Sequence, residues 1–148
     1  MVRSVLLALA LATPLLAEEH CHQHAAAHRG VLNEIDGCGI GHAEILLEGP
    51  RLRLWFVDGG HATHRAIRVP ETRLVLMAAD GRTVTLNPDP LLLAGESEGD
   101  CSAFQGEAPW LVGLTQGRLT GQVTFKGRER TLVLAWPEGY SAATAPQR

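Results

Sequence analysis

Aromatic residues, a surplus of positive charge and long apolar runs are all scarce or missing in this sequence. Aromatic side chains make up 5% of the 148 residues, so leucine and valine must fill most of the core. The formal net charge is −3 at pH 7, and a chain without a basic surplus is a poor partner for nucleic acid. After residue 17 no apolar run approaches the roughly 20 residues of a membrane-spanning helix, which predicts no stable membrane insertion.

The sequence also lacks the common motifs of hydrolases. Neither Gly-x-Ser-x-Gly nor His-Glu-x-x-His occurs in it. His42 and Glu44 are two residues apart, a spacing more typical of a surface pair on a strand than of a general acid and base. We therefore expect that the protein is not an enzyme.

Residues 1–17 have the pattern of a secretory signal peptide. Arg3 supplies a positive start, residues 4–16 are almost wholly apolar, and the small Ala17 precedes two glutamates. Cleavage is expected after Ala17, with cleavage after Ala12 as the alternative. The remaining chain of about 130 residues, enough for one ordinary domain, would then be a periplasmic or secreted protein.

Histidine and cysteine are concentrated at the start of that exported chain. Residues 20–42 hold five of the seven histidines and two of the three cysteines. Imidazole and thiolate groups bind copper and zinc, and short tracts of this composition are typical of metal affinity. We therefore predict that a copper or zinc ion is the cofactor, with ligands drawn from His20, Cys21, His22, His24, His28, Cys38 and His42. The alternative is a solvated histidine-rich tail without a specific site.

Residues 18–29 show little hydrophobic patterning, and this predicts a flexible segment. We call these residues the N-terminal arm. From residue 30 the pattern changes to short strands separated by turns. Residues 42–48 and 51–57 alternate between apolar and polar side chains on either side of a Gly-Pro turn, which predicts a hairpin. Its outer face would pair Glu44 and Glu48 with Arg51 and Arg53.

Further strands are predicted along the rest of the domain, which we place at residues 30–138. An Asp-Gly pair between 73–79 and 82–86 indicates a second hairpin, and Lys126-Gly127 indicates the last one. Residues 91–93 suggest a buried strand, and residues 107–114 suggest one helical turn. Seven or eight short strands without a long 3.6-residue pattern predict an all-β fold, an antiparallel β-sandwich or small barrel, followed by a disordered tail at residues 139–148.

Several short motifs together resemble a family of small exported bacterial proteins with the pattern HGG…HxE. They are His28-Arg29-Gly30, His42-Ala43-Glu44-Ile45, Leu54-Trp55-Phe56-Val57-Asp58, Gly99-Asp100-Cys101-Ser102-Ala103-Phe104 with Trp110-Leu111, and Phe125-Lys126-Gly127. The resemblance covers residues 18–136. A similar module precedes the membrane-fusion part of some heavy-metal efflux adaptors, so the resemblance implies a β-sandwich in a metal-handling setting.

The chain departs from that family at three positions. Arg29 stands where the family has the first glycine of its pair, and Cys38 and Cys101 stand where it has no cysteine. Three cysteines in an oxidising compartment suggest one disulfide and one free thiol. We predict that Cys38 pairs with Cys101, since both lie in turn-like stretches, and that Cys21 is free; without that bond, Cys38 returns to the ligand set.

Two functions are compatible with these patterns. The leading hypothesis is a periplasmic protein that sequesters or delivers copper or zinc, whose partners are the ion and an efflux or metal-delivery protein. The alternative is a metal-independent adaptor, a protein-interaction β-sandwich associated with an efflux system. Titration with copper and zinc separates the two.

Overall fold

The protein is described by a computed structural model that covers residues 24–60 and 65–142. The signal peptide predicted at residues 1–17 lies outside these ranges. Within them the chain forms eight strands and two short 3₁₀ turns, at Leu92–Ala94 and Pro109–Leu111. The strands are β1 (Val31–Glu34), β2 (Gly41–Glu48), β3 (Arg51–Asp58), β4 (Leu74–Ala78), β5 (Thr83–Pro88), β6 (Ala103–Glu107), β7 (Gly117–Phe125) and β8 (Arg128–Trp136). No helix in the described ranges is long and apolar enough to cross a membrane.

All eight strands belong to one antiparallel sheet, in the order β1-β2-β3-β6-β5-β4-β7-β8. The sheet curls until β1 and β8, its two ends, approach each other in a nearly closed barrel. The predicted fold class, all-β and antiparallel with seven or eight short strands, is therefore confirmed. Closing the sheet leaves few exposed strand edges, which protects the backbone from pairing with other chains.

Asn33 bridges the two ends of the sheet, and its side chain is fully buried. Its Oδ1 accepts the backbone N–H groups of Ala135, at 2.7 Å, and of Tyr140, at 2.8 Å. Its side-chain nitrogen donates to the carbonyl oxygens of Val31, at 3.2 Å, and Ala43, at 3.4 Å. One amide thus satisfies backbone groups at a gap between strands, where buried polar groups need partners.

Every second residue along the strands contributes its side chain to the core, since successive side chains point to opposite faces of the sheet. The three phenylalanines meet inside the barrel, with Phe56 lying 5.9 Å from Phe104 and 6.0 Å from Phe125 between ring centroids. Aliphatic side chains fill the space around them, and burying each one stabilises the fold by about 1.5–3 kcal/mol. The largest fully buried ones are Ile35, Ile45, Leu52, Leu54, Leu74, Leu76, Leu86, Leu111 and Leu119.

The three predicted hairpins are confirmed, as is the helical turn around Trp110. Each hairpin turns at a glycine with positive φ, at Gly49 (62°), Gly81 (86°) and Gly127 (73°). Glycine adopts this backbone conformation without steric cost. Local turn chemistry was therefore sufficient to locate these three pairs of strands.

The strand predicted at residues 91–93 is wrong. These residues form an exposed loop and a 3₁₀ turn, in which the side chain of Leu93 is fully exposed. A buried carboxylate organises this loop: Glu96 accepts the N–H of Leu91 at 3.0 Å and the hydroxyl of Ser102 at 2.5 Å. Periodicity alone cannot tell whether a short apolar run forms a strand or another structure. The strand that pairs with β5 at this edge is β6, which the sequence patterns do not predict.

The tail predicted to be disordered at residues 139–148 begins with ordered residues. The carbonyl oxygen of Tyr140 accepts a hydrogen bond from the backbone N–H of Glu34 at 2.8 Å. The backbone N–H of Tyr140 donates to Oδ1 of Asn33. The carboxylate of Glu34 accepts the hydroxyl of Ser141 at 3.0 Å and the N–H of Ala142 at 2.8 Å. Residues 139–142 therefore lie against β1, and residues 143–148 are outside the described ranges.

Candidate metal site

The outer face of β1, β2 and β3 carries polar side chains that the chain itself covers. The register places Glu34 opposite His42 on one pair of strands and Glu44 opposite Trp55 on the next. Residues 24–30 of the chain cross this face. As a result His42 is only 4% exposed and Glu44 is fully buried.

The pairing predicted for Glu44 and Glu48 with two arginines is therefore wrong for Glu44, because the N-terminal arm covers its side chain. Arg51 forms an ion pair with Glu107 on the neighbouring strand β6 at 2.9 Å. The guanidinium of Arg53 lies 4.8 Å from the ring centroid of Trp55.

Glu44 and His28 fasten the N-terminal arm to β2. One carboxylate oxygen of Glu44 accepts the backbone N–H groups of His28 and Gly30, both at 2.8 Å, and the other lies 2.9 Å from Nδ1 of His28. The imidazole of His28 stacks on Trp55, with 4.1 Å between ring centroids and 3° between planes. The described part of the N-terminal arm, which the sequence predicts to be flexible, is therefore held against β2. Its first residues, 18–23, lie outside the described ranges.

A backbone turn makes this docking geometrically feasible. Arg29 has a φ of 61°, in the left-handed region that favours glycine. Gly30 follows it at a close approach, since a Cβ built there would lie 2.3 Å from the carbonyl oxygen of Ile45. The turn therefore forms with arginine at its first position, while glycine is required at the second.

A second cluster surrounds His42, in a cavity of about 190 Å³ that we call the histidine pocket. The rings of His24 and His42 meet edge to face there, with 4.8 Å between centroids and 62° between planes. Cys38, Leu32, Glu34 and residues 138–141 complete its lining. Nδ1 of His42 is buried and has no hydrogen-bond partner in the part of the chain that the structure describes.

The surroundings of His42 favour its neutral form. Burial lowers the pKa of His42, and the neighbouring His24 lowers it further. The backbone of Asp58 and the charge of Glu34 act on this pKa in the opposite direction without reversing the shift. Since only the neutral imidazole binds a metal ion, His42 is in its ligating form at neutral pH.

The cysteines do not pair as predicted. Cys101 is free and buried in the core, where its thiol donates to the carbonyl of Ala103 at 2.9 Å, so the predicted Cys38–Cys101 disulfide is wrong. The two residues lie in different parts of the molecule, since Cys38 lines the histidine pocket whereas Cys101 belongs to the core. Cys38 is disulfide-bonded, and Cys21, the remaining cysteine, lies outside the described ranges. Burial raises the pKa of the Cys101 thiol, which stays protonated and acts as a small apolar side chain.

The structure divides the predicted ligands into three groups. His24, Cys38 and His42 meet in the histidine pocket, whereas His28 is held apart by Glu44 and Trp55. His20, Cys21 and His22 lie outside the described ranges. Among residues 24–60 and 65–142, no three or more histidine, cysteine or acidic side chains are arranged to hold a metal ion.

Two contributors were missed by the sequence reasoning. Glu34 enters the lining of the pocket because it lies opposite His42 in the β1–β2 register. Glu44, which the sequence pattern places at the surface, is buried and anchors the N-terminal arm. The spacing His42-x-Glu44 places both side chains on one face of a strand, and that signal was available from the sequence.

Comparison of the chain with protein-family models, with curated proteins and with solved structures found no match.

Proposed function

We propose that the protein binds a copper or zinc ion in the histidine pocket and sequesters or delivers it outside the cytoplasm. His24 and His42 are the two ligands within the described chain. The observation that carries the proposal is the contact between their rings, 4.8 Å between centroids, next to a buried His42 nitrogen that has no hydrogen-bond partner among the described residues. An unpaired buried polar atom costs free energy, and a metal ion would compensate that cost.

The spacing of the two rings suits a shared ion. With metal–nitrogen bonds of about 2.0–2.1 Å, the centres of two imidazoles on one tetrahedral zinc ion lie roughly 5 Å apart. The observed separation of 4.8 Å is close to that value.

Two imidazoles leave a tetrahedral ion short of ligands, and the N-terminal arm offers further ones. His20, Cys21 and His22 precede His24 by two to four residues. A chain spans at most about 3.3–3.6 Å per residue, so these side chains are all within reach of an ion at His24. Imidazole ligands suit both copper and zinc, and the composition of the arm is compatible with either.

In this proposal His28 is a positioning residue. Its contacts with Glu44 and Trp55 hold the arm four residues after His24, and so they determine where the imidazole of His24 lies. Glu44 orients His28 through Nδ1. The ion would thus be held by a docked arm, and the affinity depends on that docking.

Calorimetric titration of the mature protein with Cu²⁺ and with Zn²⁺ tests the proposal. His42→Asn and His24→Asn should each weaken binding by roughly tenfold or more, with the fold verified by circular dichroism. Gln122→Asn changes an exposed polar side chain on β7, away from the pocket, and should bind as the unmodified protein does. If the unmodified protein takes up neither ion, the proposal is wrong and the metal-independent adaptor is favoured.

A further inference from the structure

We propose that the protein binds a second copy of itself head to tail. In this contact residues 91–93, which we call the leucine loop, enter an apolar pocket at the opposite end of the next molecule's barrel. That pocket lies around Trp110 and Trp136, and we call it the tryptophan pocket. The inference is independent of metal binding, since it uses neither the histidine pocket nor the N-terminal arm.

The leucine loop exposes three adjacent apolar side chains to solvent. Leu91 is 50% exposed, Leu92 is 76% exposed and Leu93 is fully exposed. A single exposed leucine is ordinary on a protein surface, whereas neighbouring ones form the kind of apolar patch that marks an interaction site. Their burial by a partner would remove apolar surface from water, which favours association.

Hydrogen bonds at its base hold the leucine loop in this exposed form. The buried carboxylate of Glu96 accepts the N–H of Leu91 at 3.0 Å. The guanidinium of Arg68 donates to the carbonyl of Ala94 and, at 2.8 Å, to the carboxylate of Asp100. These contacts fix the chain on both sides of the leucines, so a partner would have little ordering of the loop to offset.

The charges around the leucine loop are mainly negative. Residues 89–100 contain four acidic side chains and no lysine or arginine. Arg68 pairs with Glu96 and Asp100, while Asp89 and Glu98 form no ion pair within the described ranges. A negative border is repelled by the anionic surface of a membrane and complements an apolar pocket with a positive border.

The tryptophan pocket has room for a leucine side chain. Its volume is about 250 Å³, and a cavity of about 150 Å³ already holds a benzene ring. The indole nitrogen of Trp110 donates to the carbonyl of Thr83 at 3.1 Å, and that of Trp136 donates to the carbonyl of Leu114 at 3.4 Å. Because both nitrogens are occupied, the two rings offer apolar surface to a ligand.

Arg118 gives the tryptophan pocket a positive border. The other arginine of its lining, Arg82, pairs with Asp80 at 2.7 Å. The exposed guanidinium of Arg118 instead lies 5.4 Å from the ring centroid of Tyr140, and no carboxylate of the described chain pairs with it. Its charge is therefore available to the acidic side chains beside the leucine loop of another molecule.

The leucine loop and the tryptophan pocket lie at opposite ends of the barrel. Strand β5 begins at Thr83, which contacts Trp110, and ends at Pro88, just before the loop. A strand of this length spans about 17–20 Å, so the loop does not reach the pocket of its own chain. A contact between different patches of two copies is heterologous and continues into a ring or an open chain of molecules.

Small-angle X-ray scattering of the mature protein tests the inference, with a chelator present so that metal ions do not bridge molecules. A contact made by one loop is smaller than a stable interface, so association should appear only at high concentration. The mean molecular mass should rise about twofold or more between about 20 µM and about 1 mM, which corresponds to a Kd of roughly 1 mM or tighter.

Two variants separate the loop from the pocket. The double variant Leu92→Ser, Leu93→Ser changes only the loop, and Arg118→Glu changes only the border of the pocket. Each should stay monomeric by itself, with the fold verified by circular dichroism. Their equimolar mixture should form one-to-one dimers, because the Arg118→Glu molecule keeps an intact loop and the leucine variant keeps an intact pocket.

Val75→Ser is the matched control, since it changes an exposed apolar residue on β4 outside both features. It should associate as the unmodified protein does. The inference is wrong if the unmodified protein stays monomeric, if mixing the two variants restores no dimer, or if Val75→Ser abolishes association. Cosedimentation of the unmodified protein, but not of the leucine variant, with phosphatidylcholine vesicles would identify a membrane as the occupant and would also overturn the inference.

Discussion

Nδ1 of His28 lies 2.9 Å from the carboxylate of Glu44, which is fully buried on β2. Sixteen residues separate the two in the sequence, and their contact closes the N-terminal arm over the sheet. A buried carboxylate needs partners to offset its lost hydration. His28 and Gly30 supply three of them between their backbone and ring nitrogens, so the arm and the strand stabilise each other.

Replacing Glu44 with glutamine should therefore destabilise the protein. The change keeps the shape but removes the charge from three hydrogen bonds, and a bond to a charged group contributes about 1.5–3 kcal/mol. We expect the free energy of unfolding in urea to fall by roughly that amount. Glu48→Gln, at an exposed position of the same strand, should change it by less than about 0.5 kcal/mol. Equal effects of the two variants would show that the arm is not docked through Glu44.

Replacing Arg29 with glycine should stabilise the protein. The left-handed backbone at this position costs an L-residue about 1–2 kcal/mol, whereas glycine adds only about 0.4–1 kcal/mol of unfolded-chain entropy. The net gain in the free energy of unfolding should be about 0.5 kcal/mol, measured by denaturant unfolding. Arg73→Gly removes the same side chain at a residue without positive φ and should lower stability. A lower stability of Arg29→Gly would contradict the assigned turn.

Lys126 should contribute to stability in a pH-dependent way. It donates hydrogen bonds to Asp58 and, at 2.7 Å, to the carbonyl of Ile40, joining the last hairpin to β3 and to the β1–β2 turn. The hydrogen bond from Lys126 lowers the pKa of Asp58 below its ordinary value of 3.8. The folded state therefore favours the charged carboxylate. Its stabilisation is present above pH 3.8 and is lost as the pH falls through the lowered pKa of Asp58.

Lys126→Met should thus lower the free energy of unfolding by at most about 1 kcal/mol at pH 7, since the pair is partly exposed. The difference from the unmodified protein should shrink below pH 3.8. Urea unfolding at a series of pH values measures both. The same experiment on Arg82→Met, whose partner Asp80 lies in an exposed turn, gives the baseline for a surface pair. A difference that grows on acidification would contradict the assignment.

Asn33→Leu should weaken the closure of the barrel. The substitution leaves the N–H groups of Ala135 and Tyr140 without their acceptor, at a cost of about 1–3 kcal/mol for each buried group. Hydrogen exchange at these two amides should accelerate more than exchange in the β2–β3 hairpin. Asn87→Leu, at an exposed position of β5, is the control. Unchanged protection at Tyr140 would show that the tail is held by Glu34 alone.

Local sequence patterns were sufficient for the parts of the fold that depend on neighbouring residues. The hairpin at Gly49 and the one at Gly81 each combine a glycine turn with period-two alternation, and both signals lie within a few residues. The strands β1 and β6 lack that support. Strand β1 has four residues and reaches its partner β2 through the connection at residues 35–40, which is longer than a two-residue turn, whereas β6 has five residues and pairs with β3 and β5 across longer stretches of chain.

The candidate site shows the same division. The sequence by itself determined that histidine and cysteine cluster between residues 20 and 42, because composition does not depend on the fold. Only the tertiary structure decided which of them meet. The β1–β2 register puts Glu34 beside His42, and the docked arm brings in His24. Cys38 lines the pocket, whereas Cys101 lies in the core. These contacts depend on how distant strands pair and which face each one buries, and a change of register by one residue would reverse every such face.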